Sequence, residues 1–443
     1  MKTIDMRGLE LTGAASLSLP HYETAVRQLN LFTGDPVASV DAAIAESPDF
    51  VMALALRAYL HLIGTEPAGV PVAYEAFEAA SKLARTEREA GHLAAISHLI
   101  NGRWHAASRV LEDVAITTPH DLLALQVGHQ VDFFRGDSRM LRDRIARALP
   151  DWSVNIPGYH TMLGMHAFGL EEMGEYALAE KTGRHAIDME SRDSWAQHAV
   201  AHVLEMQGRQ DEGIAWMEGN TDAWSHDNFL AVHNWWHLAL YYLDLGQVDK
   251  VLALFDGPIF GAPSNVIMNL IDASAMLWRL NLRGIDVGSR WEAVADAWEP
   301  VADASVHAFN DAHAMMAFVG AGRRASQQRL IDAQTASMMA EFSDNAMFTR
   351  EVGRPAALAI QAFGDGRFAE TVRQLRSVRN IANRAGGSHA QRDVFDLTLI
   401  EATFRSGQHA LAKALSAERA AMKPTSPLAQ LFVQRAAEMK MAA

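Results

Sequence analysis

The chain has no cysteine in its 443 residues. Disulfides, thiolate nucleophiles and thiolate metal ligands are therefore excluded, and any metal ion would have to sit on His, Asp or Glu. Positive charge is also scarce: 39 Lys and Arg stand against 53 Asp and Glu, for a formal charge of −14. Nucleic acid and anionic membrane both require a clustered basic surface, so neither is expected as a partner. No run reaches the roughly 18 apolar residues of a membrane span. Residues 1–20 mix Lys2, Asp5, Arg7 and Glu10 with small side chains and lack the continuous apolar stretch of a secretory signal, so the expected location is the cytoplasm. Strand-like alternation is missing over any length. So are a Walker-type Gly-x-x-x-x-Gly-Lys-Ser/Thr, a Gly-x-Ser-x-Gly elbow and a Gly-x-Gly-x-x-Gly after a strand, which removes the usual support for nucleotide hydrolysis, serine-esterase chemistry and dinucleotide binding.

What is present is a glycine-marked turn that recurs along most of the chain. Gly64, Gly102, Gly136, Gly174, Gly208, Gly246, Gly284, Gly322, Gly366 and Gly407 follow one another at spacings of 34 to 44 residues, each between two apolar stretches of helical period. Such a period marks stacked helix-turn-helix units, none of which can bury its apolar face alone. The pattern predicts helices over 159–173, 176–189, 195–206, 211–218, 228–245, 248–255, 266–283, 291–298 and 307–321, with loops over 256–264 and 424–427. The expected fold is all-α: an α-solenoid of about ten helix-turn-helix repeats spanning 1–443 as a single unit, with an irregularity in the stacking around 338–354.

Helix pairs of this length with a turn glycine resemble tetratricopeptide repeats. The stretch 226–241 (HDNFLAVHNWWHLALY), preceded by 195–202 (WAQHAVAH), is similar to the tetratricopeptide repeat protein 38 family. That resemblance implies a helical-repeat fold but supplies no set of catalytic residues. It also implies that the first helix of each repeat lines a concave groove, with groove-facing positions about 13, 10, 9 and 6 residues before the turn glycine.

Counting back on that basis lands on His198 and His202 before Gly208, on His233, Trp236 and His237 before Gly246, on His313 before Gly322, and on Gln126 and Gln130 before Gly136. The helical period makes the same point for the two His-x-x-x-His pairs, because residues four apart share a face. Glu205, Asn234, Asn269, Asp272, Asn310 and Asp311 lie on the same first helices, within a turn of that face, and Trp235, Trp236 and Tyr241 add apolar bodies with a polar tip. A lone helical histidine is ordinarily solvated or hydrogen-bonded at a helix contact. Five on one predicted surface point instead to a ligand site, with His198, His202, His233, His237 and Asp272 as candidates for acid-base work. Trp236, Asn234, Gln126, Gln130, His313, Asn310 and Tyr241 are candidates for ligand contact.

The expected ligand is a small molecule or short peptide. No organic cofactor is implied. A divalent metal on the paired histidines is the alternative use of the same side chains, although the metalloprotease text His-Glu-x-x-His is absent. An enzyme, a protein-protein scaffold and a homo-oligomer are the other readings the pattern admits. Lysine and arginine are nearly missing from the register positions, so a carboxylate clamp for acidic chain ends is not expected.

Overall fold

The computed structural model describes residues 3–340 and 342–441, and among these it contains twenty-five α-helices and no strand. Two isolated bridges, Ile4 with Glu10 and Thr33 with Asn228, are the only extended pairings among the described residues. The fold is an all-α helical repeat: consecutive helices form helix-turn-helix pairs, the arrangement of an α-solenoid. The expected helices are present with ends shifted by three residues or fewer, as Ser194–Met206, Gln210–Glu218, Ala231–Asp244, Ile267–Leu282 and Ala308–Gly320 illustrate.

The repeat turn has a single physical cause. Gly34, Gly102, Gly136, Gly174, Gly208, Gly246, Gly284, Gly322, Gly366 and Gly407 all lie in the left-handed region, with φ between 63° and 79°. A Cβ is disfavoured there, and the chain reverses while the last carbonyls of the helix are satisfied. At Gly246 the amide donates to the Leu243 carbonyl at 3.0 Å and the amide of Gln247 to that of Tyr242 at 2.8 Å. Gly64 is the exception. In that turn it is Thr65 that adopts the left-handed conformation, with φ 60°, whereas Gly34 marks a turn that the sequence pattern did not single out.

Helix starts are set by side-chain caps where the sequence provides them. Asp121 accepts from the Ala124 amide at 3.0 Å and Asp137 from that of Met140 at 3.1 Å, while Thr86 with Glu89 and Ser388 with Gln391 form capping boxes. The weakly periodic stretch 338–354 contains the short helix Asp344–Phe348, which continues into a π-helical turn, Thr349–Gly353. The expected loop at 256–264 begins instead with another π-helical turn, Phe255–Ile259, bent where Gly257 leaves helical geometry beside Pro258.

The described residues fall into two compact units. Unit 1 lies within Met1–Val200, Thr221–Ala231 and Phe342–Asp344; unit 2 lies within Ala201–Asn220, Val232–Glu341 and Asn345–Ala443. In unit 1, Leu125, Ile145, Trp152, Met162 and Met165 belong to one apolar cluster between consecutive helices. In unit 2 the large side chains Trp278, Trp298, Phe318 and Tyr241 are fully buried, the first two with indole N–H groups donated to Thr398 and Ser274, both at 2.9 Å.

Candidate functional site

Unit 2 gathers three of the histidines found by counting back from the turn glycines. His202 comes from the helix Ser194–Met206, and His233 and His237 from one face of Ala231–Asp244. Their ring centroids are 4.4 Å apart for His202 and His237 and 4.8 Å apart for His233 and His237, and each offers a nitrogen within 4.8 Å of the others. All three are buried; His233 is the most accessible, at 8%. Burial first, and then the neighbouring His202, His233 and Arg279, hold the His237 imidazole well below its ordinary range, so that at neutral pH it is uncharged.

A carboxylate from the next repeat fixes the first ring of the cluster. His233 Nδ1 lies 3.0 Å and 2.9 Å from the two oxygens of Asp272, which is 1% exposed in the helix Ile267–Leu282. A carboxylate oxygen accepts, so Nδ1 is the donor in this contact. The ring also stacks on Trp236 at 5.4 Å and 13°. Above the same indole stands the guanidinium of Arg279, 5.2 Å from the ring centroid. Both amide atoms of Asn234 and the indole N–H of Trp236 are buried with no hydrogen-bond partner among the described residues. Buried polar groups ordinarily have such partners, so these atoms suit a ligand that supplies them.

The remaining predicted residues are placed as follows. His198 lies one turn before His202 on the same helix and in unit 1, where its ring stacks against Phe168 at 5.3 Å and tilts against Trp195 at 4.8 Å. Gln126 and Gln130 are also in unit 1; the Gln126 amide donates to the Leu29 carbonyl at 3.0 Å and its oxygen accepts from Asn30. Within unit 2, the Tyr241 hydroxyl donates to the Ala201 carbonyl at 2.5 Å and its ring packs against Gly213, where a Cβ would come within 2.3 Å of it. The hydroxyl is thus committed to the backbone. His313 holds the Phe309 carbonyl through Nδ1 at 2.8 Å, and burial lowers its pKa to about 4. Asn310 is buried on the same helix, 7% exposed.

Unit 2 also contains a group that the register count missed. Arg279, Arg283, Arg419 and Lys423 converge, together with Glu205, Asp244 and Asp393, on one small cavity. None of these cations occupies a counted register position. Arg419 and Lys423 come from the helix His409–Met422 and the residue that follows it, far along the chain from the counted positions. Arg279 and Arg283 lie at the end of a first helix, beyond those positions. One signal was legible: Arg279 interrupts the apolar run Met276, Leu277, Trp278, Leu280, Leu282, and a cation in such a run is buried with the rest.

No protein-family model matches the chain. Among solved structures, a chain in the structure of Naa15/Naa10 bound to HypK-THB aligns with 96% of this chain and 66% of its own length, at 12% sequence identity and a TM-score of 0.25. This chain therefore spans just under two thirds of that one. The helical-repeat fold rests on the helix pairs themselves. Among the described residues no helix is long and apolar enough to cross a membrane.

Proposed function

We propose that this helical-repeat protein is a ligand-binding module whose centre is the cluster His202, His233 and His237, and that the cluster holds a divalent transition-metal ion. The supporting observation is the donor set: three imidazoles from two helices with nitrogens within 4.8 Å of one another, one of them also hydrogen-bonded to a buried carboxylate. Imidazole nitrogens suit zinc, iron, nickel and copper. A carboxylate on the far nitrogen of a ligating histidine fixes tautomer and orientation and raises ligand basicity, and Asp272 takes that role in this reading. Three protein ligands leave a tetrahedral ion one open position, where a small molecule can bind. Such a molecule is the second ligand this reading implies.

The test is metal content. Wild-type protein, stripped with chelator and reloaded with zinc, copper, iron or nickel, is expected to take up close to one ion per chain and to melt at higher temperature, because an ion bound only to the folded form shifts the folding equilibrium. His237→Gln is expected to lose that uptake. A wild-type protein that binds none of the four ions would overturn the reading.

The unpartnered amide of Asn234 and the indole N–H of Trp236 favour one other use of the same place, a metal-free site for a small polar molecule. In that case Asn234→Leu abolishes ligand binding, and chelator changes neither binding nor melting.

A further inference from the structure

Next to the cluster, also in unit 2, is a cavity of about 400 Å³. Its charged lining consists of Arg279, Arg283, Arg405, Arg435 and the single carboxylate Glu401. The rest of the wall is apolar, with Phe432 inside and Leu431 at the rim, 47% exposed. The volume falls in the small-molecule range of about 300 to 1,000 Å³.

The pairing of cations in unit 2 separates these arginines into two kinds. Arg419 has both oxygens of Asp393, at 2.7 Å and 3.0 Å, and Lys423 has Glu205 at 2.7 Å. Arg405 and Arg435 share Glu401, each with a contact of 2.8 Å. Arg279 and Arg283, one helical turn apart, form no ion pair with a carboxylate among the described residues. Arg279 donates to the carbonyls of Ala390 at 2.6 Å and Ala275 at 3.4 Å, and Arg283 donates to that of Leu243. A guanidinium withdrawn from water, fully at Arg279 and partly at Arg283, and given only neutral carbonyls remains poorly compensated. Burial accordingly depresses both below the ordinary arginine value despite nearby carboxylates, Arg283 to about 10.

We propose that this cavity binds a small organic anion with an apolar body, its head on Arg279 and Arg283 and its tail along the leucines and Phe432. An anion supplies the charge that the two guanidiniums lack, and two guanidiniums one turn apart can share a planar or tetrahedral oxyanion. The tail accounts for the apolar remainder of the wall. The inference concerns a site distinct from the histidine cluster and stands without a metal there.

Calorimetric titration of the full chain with octanoate, octyl phosphate, octanol and inorganic phosphate tests it. The two tailed anions are expected to bind, whichever headgroup is the tighter, with octanol and inorganic phosphate at least about tenfold weaker. Arg283→Gln, at a half-buried position, is expected to lower octanoate affinity by about 10- to 100-fold, the loss of one charged hydrogen-bond donor. Leu431→Glu places a like charge at the rim on an exposed residue, so it is expected to fold normally and to weaken octanoate binding as well. Absence of binding by both tailed anions, octanol binding as tightly as octanoate, or unchanged affinity in the two variants would overturn the proposal.

Discussion

Each compact unit buries an aspartate-histidine pair, and the two pairs are used differently. In unit 1, His92 Nε2 lies 2.9 Å from Asp121, and its Nδ1 lies 3.1 Å from the Tyr59 hydroxyl. Asp121 also accepts from Arg88 at 2.8 Å and caps the next helix through Ala124. Burial alone would raise the Asp121 pKa; His92 and Arg88 outweigh it and hold the carboxyl well below its usual range. In unit 2, His233 gives one nitrogen to Asp272 in the same way, but its ring faces a second imidazole and belongs to a group of three. The first pair is closed, with both ring nitrogens committed to partners in the fold. The second converges with other donors of the same kind. An aspartate-histidine pair thus identifies a structural network in one unit and a candidate site in the other, and the distinction lies in what stands beyond the far nitrogen.

Exchanging the two carboxylates for amides breaks or sharpens that contrast. Asp121→Asn removes the charge that compensates Arg88 and the carboxylate that His92 faces, and the expected cost is about 3–5 kcal/mol of folding stability, the range for breaking a buried pair, with metal uptake unchanged. Asp272→Asn is expected to cost only about 1 kcal/mol in stability, yet to lower metal affinity about 10- to 100-fold. Chemical denaturation and metal titration of both variants give the two numbers. Equal stability losses with no change in metal affinity would erase the contrast.

A second effect, accumulated over several pH units, separates the units by pH. In unit 1 burial lowers His129 to about 3, so the unfolded chain takes up that proton first as the solution is acidified, and the associated stability is lost as pH falls from 6.5 toward 3. In unit 2 burial raises Asp311 from 3.8 to about 7, against the opposing hydrogen bonds of Ser305 and Gln334. Its folded form holds the proton more tightly than the unfolded one, so this contribution is complete below 3.8 and lost as pH rises through 7. Asp311→Asn is therefore expected to gain on the wild type between about pH 4 and 7, by up to about 1.4 kcal/mol per pH unit. Parallel denaturation profiles for the two proteins across that interval would refute the assignment.

The smallest effect should not distinguish the units at all. Gly174 in unit 1 and Gly246 in unit 2 have φ of 79° and 73°, and a Cβ at either would meet nothing within 4 Å. Alanine at each is expected to cost about 1–2 kcal/mol, the strain of a left-handed residue with a side chain. Markedly unequal costs would mean that the repeat turn is not one motif used twice.

The amino-acid sequence by itself determined the helices, the turns between them and the sharing of a helix face by His233 and His237. These follow from the period of the apolar residues and the backbone needs of the turn glycines, both local properties. The register count reached His202, His233 and His237 because each lies on the face of a first helix that packs against the neighbouring first helix, although at different heights, six, thirteen and nine residues before the turn glycine. Only the tertiary structure decided that Asp272 meets His233 across 39 residues, and that the Tyr241 hydroxyl is committed to the Ala201 carbonyl. It alone brought Arg279 and Arg283 to one cavity with side chains from the last helices of the chain. Those meetings depend on how helices cross and on which buried charge finds a partner. Periodicity fixes the direction in which a side chain leaves its helix, while packing fixes what it encounters there.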